Sequence, residues 1–296
     1  MIKDSFSKMH PIINLIFFSM IIIFTGLFNK PIYMAISFIS SFIFSVYLNR
    51  ISAIKYNLIF IIPLMIILSA VYPIWNHQGI TILVYVDHNP ITLESIYYGI
   101  SLGIRTASIL MWITCYFNIM TSDKFLYIFG AISPKISLYF SILLRLCPRI
   151  KERFKEISTG QASIGRNYTQ GNLFKMFINL IRIVSMTITW ILENIIDVAA
   201  SMKARGYGLK GRTSFSLYKF SKRDKTMLII DIILIVVITL GSVFGYNSIR
   251  YYPSIKYKFN YVYEAISFVS YSIFAILPIV LDIREDYVWK KLQLKA

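Results

Sequence analysis

Residues 173–208 read LFKMFINLIRIVSMTITWILENIIDVAASMKARGYG. The run is apolar over the length of a membrane-crossing helix. Yet Arg182, Ser185, Thr189, Glu193, Asp197, Ser201 and Arg205 recur at steps of three and four. That spacing draws one polar stripe along a helix and leaves a wide apolar remainder, fit for lipid or for other helices. Gly206 and Gly208 supply the left-handed backbone that stops helices. Arg205 sits at the end, between Ala204 and Gly206. A cation there suits the helix dipole and anionic lipid. With small residues on both sides, its five-donor plane also projects clear, as needed to enter an acidic or carbonyl-lined groove of a partner.

A second helix of mixed character precedes it. Residues 136–166 begin apolar and turn amphipathic after Pro148, with Ile150, Phe154, Ile157 and Ile164 on one face and Arg149, Lys151, Glu152, Arg153, Lys155 and Glu156 on the other. Gly160, Gly165 and the polar run 167–172 are expected to end it. Two long amphipathic helices with short polar tips exceed what a bundle of plain spans needs, and imply a contact outside the lipid.

The whole chain fits a membrane setting. Apolar residues are 56% and charged residues only 15% of 296, where soluble domains carry about a quarter. Mean hydropathy is +0.62. Apolar runs near 12–28, 32–48, 57–74, 95–119, 226–246 and 262–283 give six expected spans. The first run is too long for a signal peptide and lacks a cleavage site, so it reads as a retained helix. The net charge of +17 is concentrated: residues 145–225 hold 16 of 31 Lys and Arg against five acids. Between hydrophobic spans, that excess reads as the positive-inside signature rather than a nucleic-acid patch. The loop from Trp75 to Pro90 has no Lys or Arg, whereas Arg50, Lys55, Arg284, Lys290 and Lys291 flank spans. Both termini are therefore expected in the cytoplasm, with Arg250, Lys256 and Lys258 a mild exception.

Catalytic signatures are missing. There is no G-x-x-x-x-G-K-[ST], no H-E-x-x-H, no G-x-S-x-G, and no Cys/His spacing for a metal. Cys115 and Cys147 read as small apolar residues, and His77, Asp87 and His88 as a solvated loop. Within the apolar runs, Arg105, Glu94, Glu193 and Asp197 stand out. The two acids of the second helix lie one turn apart and are expected to pair with Arg145 or Arg182, or to face water; a proton path is the sharper alternative.

Several stretches resemble one family. His10-Pro11-Ile12-Ile13-Asn14-Leu15 is similar to an H-P-x-x-K-L opening, with Asn14 in place of Lys. Arg105-Thr106, Thr121-Ser122, Gly130, Pro134 and Leu144-Arg145-Leu146-Cys147-Pro148 follow its spaced pattern, and Ala204-Arg205-Gly206 resembles its second A-R-G motif. The family is the transmembrane T component (EcfT/CbiQ-like) of energy-coupling factor transporters. Its first Q-x-A-R-G motif is degenerate here: Gln161-Ala162-Ser163-Ile164-Gly165 is followed by Arg166, two positions late.

The resemblance implies an all-α integral membrane protein of about six transmembrane helices with long amphipathic cytoplasmic coupling helices. It is divided as 1–135 (bundle), 136–225 (coupling region) and 226–296 (last helices and tail). It implies a multi-pass protein of the prokaryotic plasma membrane that is not an enzyme. ATP and Mg²⁺ would belong to two cytoplasmic ABC ATPase subunits, a homo- or heterodimer, which grip one helix tip each, at Ala204, Arg205 and Gly206 and at Gln161, Ser163, Ile164, Gly165 and Arg166. A membrane-embedded S component, which binds a vitamin or metal ion, would rest on the apolar faces, with Ile150, Phe154, Ile157, Ile183, Trp190 and Ile191 as contacts. Arg105, Arg145, Pro148, Glu193 and Asp197 are assigned structural polar roles. The competing reading is a self-contained permease or channel lined by the intramembrane Arg, Glu and Asp. It predicts an internal repeat, and none is evident. A lipid-head-group transferase would need clustered acids, and those here are scattered.

Overall fold

The computed structural model describes residues 6–86, 89–166, 173–209, 218–244, 247, 249–254, 256–257 and 261–293. The expected polar terminator 167–172 and the loop residues Asp87 and His88 lie outside them. The chain forms two compact units, residues 1–121 with 218–296, and residues 122–217.

The first unit is a helical bundle. It comprises α1 (Pro11–Leu27), α2 (Pro31–Asn49), α3 (Ile51–Tyr56), a π-turn (Asn57–Ile61), α4 (Ile62–Trp75), α5 (Leu93–Ile119), α9 (Lys222–Val243) and α10 (Tyr261–Gln293). Two short hairpins join them, β1 (Ile82–Val86) with β2 (Asn89–Thr92) and β3 (Ile249–Arg250) with β4 (Lys256–Tyr257). The core is aromatic: Phe6, Phe17, Phe18, Phe44 and Trp112 are buried together, with edge-on rings such as Phe6–Phe17 at 5.2 Å. Such pairs add stability beyond the area they bury.

Polar groups inside this bundle are mostly satisfied by one another. Thr25 and Ser37 bond at 2.8 Å, and Trp112 Nε1 donates to Ser37 at 3.1 Å. Tyr33 donates to Asn247 at 2.9 Å. The Lys30 ammonium meets Glu264 at 2.7 Å and ties the α1–α2 turn to α10. Arg105 reaches that same turn, donating to Asn29 Oδ1 at 2.6 Å. Helices α4 and α5 approach closely at Gly99 and Gly103. A Cβ on Gly99 would stand 2.8 Å from the Ser69 carbonyl oxygen, and one on Gly103 would stand 2.7 Å from that of Met65. This is a small-x-x-x-small contact, by which helices pack in lipid where the hydrophobic effect cannot drive them together.

The second unit holds α6 (Ser122–Ile132), α7 (Pro134–Ser163) and α8 (Leu173–Ala204). Phe125 and Phe129 of α6 pack on Phe140 of α7, both at 5.9 Å. Helix α7 runs unbroken through Pro148 and Gly160 to Ser163, so Gly160 does not end it as the sequence suggested. Pro148 only deprives the Leu144 carbonyl of its helical donor.

Six helices among the described residues are long and apolar enough to cross a membrane: Pro31–Asn49, Ile51–Trp75, Leu93–Ile119, Leu173–Ala204, Lys222–Val243 and Val262–Val288. The protein is a multi-pass membrane protein. The set differs from the expected six in one exchange. The α1 helix has only 17 residues, while α8, expected outside the bundle of spans, is long and apolar enough to qualify. Its charges share one stripe, so composition alone does not disqualify it.

Candidate functional site

Helices α7 and α8 pair antiparallel. The Arg153 guanidinium lies 5.7 Å above the Trp190 ring, Gln161 Nε2 reaches Met186 Sδ at 3.6 Å, and a cavity of about 800 Å³ between Leu138, Ile142 and Leu146 on one side and Val198, Met202 and Tyr207 on the other closes the far end. The helix ends therefore point in opposite directions. The helical rise from Met186 to Arg205 separates them by about 30 Å.

Both ends close with the same hydrogen bonds. At the first, the Gly165 amide donates to Ala162 O at 3.0 Å and the Arg166 amide to Gln161 O at 2.9 Å. At the second, the Gly206 amide donates to Lys203 O at 3.1 Å and the Tyr207 amide to Met202 O at 3.0 Å. These are two Schellman endings, in which a left-handed residue lets the next amides reach back to the last carbonyls. Gly165 (φ 77°) and Gly206 (φ 80°) take that conformation at no steric cost. The superposed register makes Ile164 the counterpart of Arg205, Ser163 of Ala204, and Arg166 of Tyr207. Ile164 is 62% exposed, and Arg166, Ala204 and Arg205 are exposed too.

Three sectors run along α8. Ile183 and Thr187 are buried, and Trp190, Asn194, Val198 and Met202 half-buried, on the side that packs. Five residues of the polar stripe precede one of these by a single step: Arg182 precedes Ile183, Thr189 precedes Trp190, Glu193 precedes Asn194, Asp197 precedes Val198 and Ser201 precedes Met202. The stripe thus lies about 100° around the helix and is exposed. The expected pairing of Glu193 and Asp197 with Arg145 or Arg182 is absent from the four ion pairs among the described residues; both acids face away from α7. The third sector is apolar and exposed: Val184, Ile188, Leu192 and Ile195.

None of the six residues expected to contact a membrane partner lies in this third sector. Ile183 is buried, and Ile150, Phe154, Ile157, Trp190 and Ile191 are half-buried, so much of their surface is spent in the α7–α8 pair. Arg145 and Pro148 are exposed on α7. Arg105, on α5, belongs to the other unit, where it bonds Asn29 of the α1–α2 turn. The His77, Asp87 and His88 loop offers one described contact, His77 Nδ1 to Pro90 O at 3.2 Å; no cluster of metal-binding side chains occurs among the described residues.

The opening motif also acquires a role in the fold. His10 caps α1, its Nδ1 accepting from the Ile12 amide at 3.4 Å, and its ring stacks on Phe220 at 3.7 Å. Burial holds the His10 imidazole below its ordinary value, with Asp224 opposing. Phe220 leads into the Ser221–Asp224 capping box that starts α9. Two buried acids escaped the sequence reading. Neither carboxylate oxygen of Asp231 on α9 has a hydrogen bond among the described residues, and Asp282 Oδ1 accepts from the Phe6 amide at 2.8 Å. Their signal was a lone carboxylate inside an apolar window.

A family model described as "Cobalt transport protein" (CbiQ) matches residues 3–215. The chain belongs to the CbiQ family. Relatives of this CbiQ-family chain include three proteins named energy-coupling factor transporter transmembrane protein EcfT. The Brevibacillus brevis protein is 35% identical over 35% of this chain and 39% of its own length. That of Lactobacillus helveticus is 33% identical over 38% and 41%, and that of Lactococcus lactis 29% identical over 36% and 41%. The chain thus aligns with about two fifths of the length of these relatives.

Proposed function

We propose that this chain is the coupling subunit of an energy-coupling factor importer. It carries ATP-driven motion from two ATPase subunits to an S component that binds a vitamin or metal ion. The supporting observation is the pair of matched helix endings at opposite ends of one hairpin. Each ending is exposed, and each is held in one shape by its own backbone. Two distant, rigid tips joined by two helices are what a lever needs if a separate body grips each tip.

In this reading both tips lie in the cytoplasm, as the basic excess of residues 145–225 favours. Arg205 enters an acidic or carbonyl-lined socket of one ATPase, and the Gln161–Arg166 tip enters the other. ATP and Mg²⁺ bind those subunits, where hydrolysis takes place. The S component rests on the exposed apolar flank of α8 at Val184, Ile188, Leu192 and Ile195. Apolar contact is non-directional and tolerates sliding, so this flank can move against its partner without breaking specific bonds. The cargo is set by the S component.

The test is co-purification of the tagged chain with the ATPase pair from its host's energy-coupling factor system, wild type against Arg205→Glu. The wild type retains both subunits. Arg205→Glu, which puts a like charge against an acidic socket, loses at least tenfold of them. Normal assembly and uptake by Arg205→Glu would refute the reading.

A further inference from the structure

Within the first unit, a cavity of about 480 Å³ opens between α9 and α10. Arg223, Arg284 and Glu285 line it together with Met227, Ile230 and Leu281. Arg223 is the second residue of α9, and Arg284 and Glu285 come near the end of the α10 span, Val262–Val288. Met227 and Ile230 lie one and two turns further into α9, and Leu281 about one turn further into α10. The charged side chains are thus confined to one end, and the cavity runs on between apolar walls for about 10 Å, the rise of residues 223–230. Charge at the polar end is unbalanced. Glu285 meets Arg223 at 3.4 Å and Lys8 at 3.9 Å, while Arg284 takes part in none of the four ion pairs among the described residues. The neighbouring acids serve other groups: Asp224 caps α9 with Ser221, and Asp286 accepts from Tyr47 at 2.5 Å. Lys222 and Lys225 flank Arg223 and add to the basic excess.

We propose that this cavity holds one anionic phospholipid, with its phosphodiester between Arg223 and Arg284 and its glycerol and upper acyl chain along Met227, Ile230 and Leu281. A guanidinium presents a fork of donors that matches two phosphate oxygens at once. The volume falls among those of small-ligand sites, roughly 300–1,000 Å³. A soluble phosphate would use only the charged end, whereas a lipid uses both ends. Basic pockets between spanning helices suit anionic headgroups for this reason. Glu285 opposes the lipid, because it competes with the phosphate for Arg223 and repels it directly. Bound there, the lipid bridges α9 to α10 and fixes the first unit in its leaflet. The site needs only the membrane setting of the chain and is independent of the coupling function proposed above.

Native mass spectrometry of the full chain in neutral detergent, titrated with dioleoylphosphatidylglycerol or dioleoylphosphatidylcholine, tests this. The expected result is one phosphatidylglycerol retained about tenfold more tightly than phosphatidylcholine. Arg284→Gln should weaken that binding about fivefold, and Arg223→Gln with Arg284→Gln should remove the preference. Arg50→Gln with Lys55→Gln, which takes two exposed cations from another part of the same unit, should leave it intact. Glu285→Gln should tighten it several-fold, a gain that a loss of folding does not produce. Equal retention of the two lipids by the wild type overturns the proposal. So does unchanged phosphatidylglycerol binding in the double arginine variant, or binding that Glu285→Gln fails to tighten. Inorganic phosphate, added at the same concentration, should not displace the lipid; if it does, the site is one for a free anion and the proposal falls. None of these outcomes bears on the coupling function, which Arg205→Glu tests separately.

Discussion

Ile164 and Arg205 occupy the same place in two copies of one helix ending: each is followed by a glycine at φ near 80° whose amide and the next reach back to the carbonyls of the closing turn. A Cβ at Gly206 would add strain, because L-residues avoid this region, and would meet Leu209 Cδ1 at 3.1 Å. A Cβ at Gly165 meets nothing within 4 Å. Gly206→Val is therefore expected to loosen its ending by about 1–2 kcal/mol, and Gly165→Ala by less. Hydrogen exchange at the Tyr207 and Arg166 amides reads each change separately.

The contact of α4 with α5 leaves no room at Gly99 and Gly103. Gly103→Leu should force the helices apart and lower stability by about 3 kcal/mol, at the upper end of overpacking costs. Buried Cys115 reports this directly. In a Cys147→Ser background, which removes the exposed thiol, a thiol-reactive fluorophore labels Cys115 as the bundle opens. The variant should label at a markedly lower temperature than its parent.

Lys30 and Glu264 form a largely buried pair. Removing only the cation, by Lys30→Met, strands a carboxylate and is expected to cost about 3 kcal/mol. Lys30→Met with Glu264→Leu should recover most of that loss, because replacing both partners of a buried pair by apolar groups is often neutral. Thermal unfolding of the two single variants and the double variant in detergent measures the cycle.

His10 gives the bundle a pH dependence. Its folded value lies below the ordinary 6.5, chiefly through burial, so below 6.5 the unfolded chain takes up a proton that the folded chain resists. This contribution is complete above pH 6.5 and is lost as pH falls through that point toward the lowered value. His10→Gln should flatten the slope of melting temperature against pH below about 6.5. An unchanged slope would assign the dependence to another group.

Much of this fold could be read from the sequence, because lipid demands long apolar helices. Helices α2, α5, α9 and α10 lie close to where apolar runs place them, and α8 ends at Ala204 with Gly206 left-handed, as its glycines imply. Local pattern failed where pairing decides. Gly160 looked like a terminator, yet the α7 helix continues through it, since one glycine costs only about 1 kcal/mol. Ile150, Phe154 and Trp190 were half-buried in the α7–α8 pair, not left outward, because a helix pattern shows that a face is apolar but not what covers it. The Gly99–Gly103 contact was legible as a G-x-x-x-G spacing and was missed. At the first tip, Arg166 looked like a misplaced motif residue. The hydrogen bonds show that the helix ending is in register and that the residue type differs.

The claim that the hairpin carries motion is tested most directly by its own length. Spin labels at Ser163→Cys and Ala204→Cys, in a Cys147→Ser background, sit on the two tips, about 30 Å apart by helical rise. The complex with both ATPase subunits and the S component is measured by pulsed electron resonance before and after ATP is added. The coupling account predicts that the distance distribution shifts with ATP and stays fixed with ATP when Arg205→Glu is present. An identical distribution in every condition, while ATP is hydrolysed and cargo crosses the membrane, would contradict it.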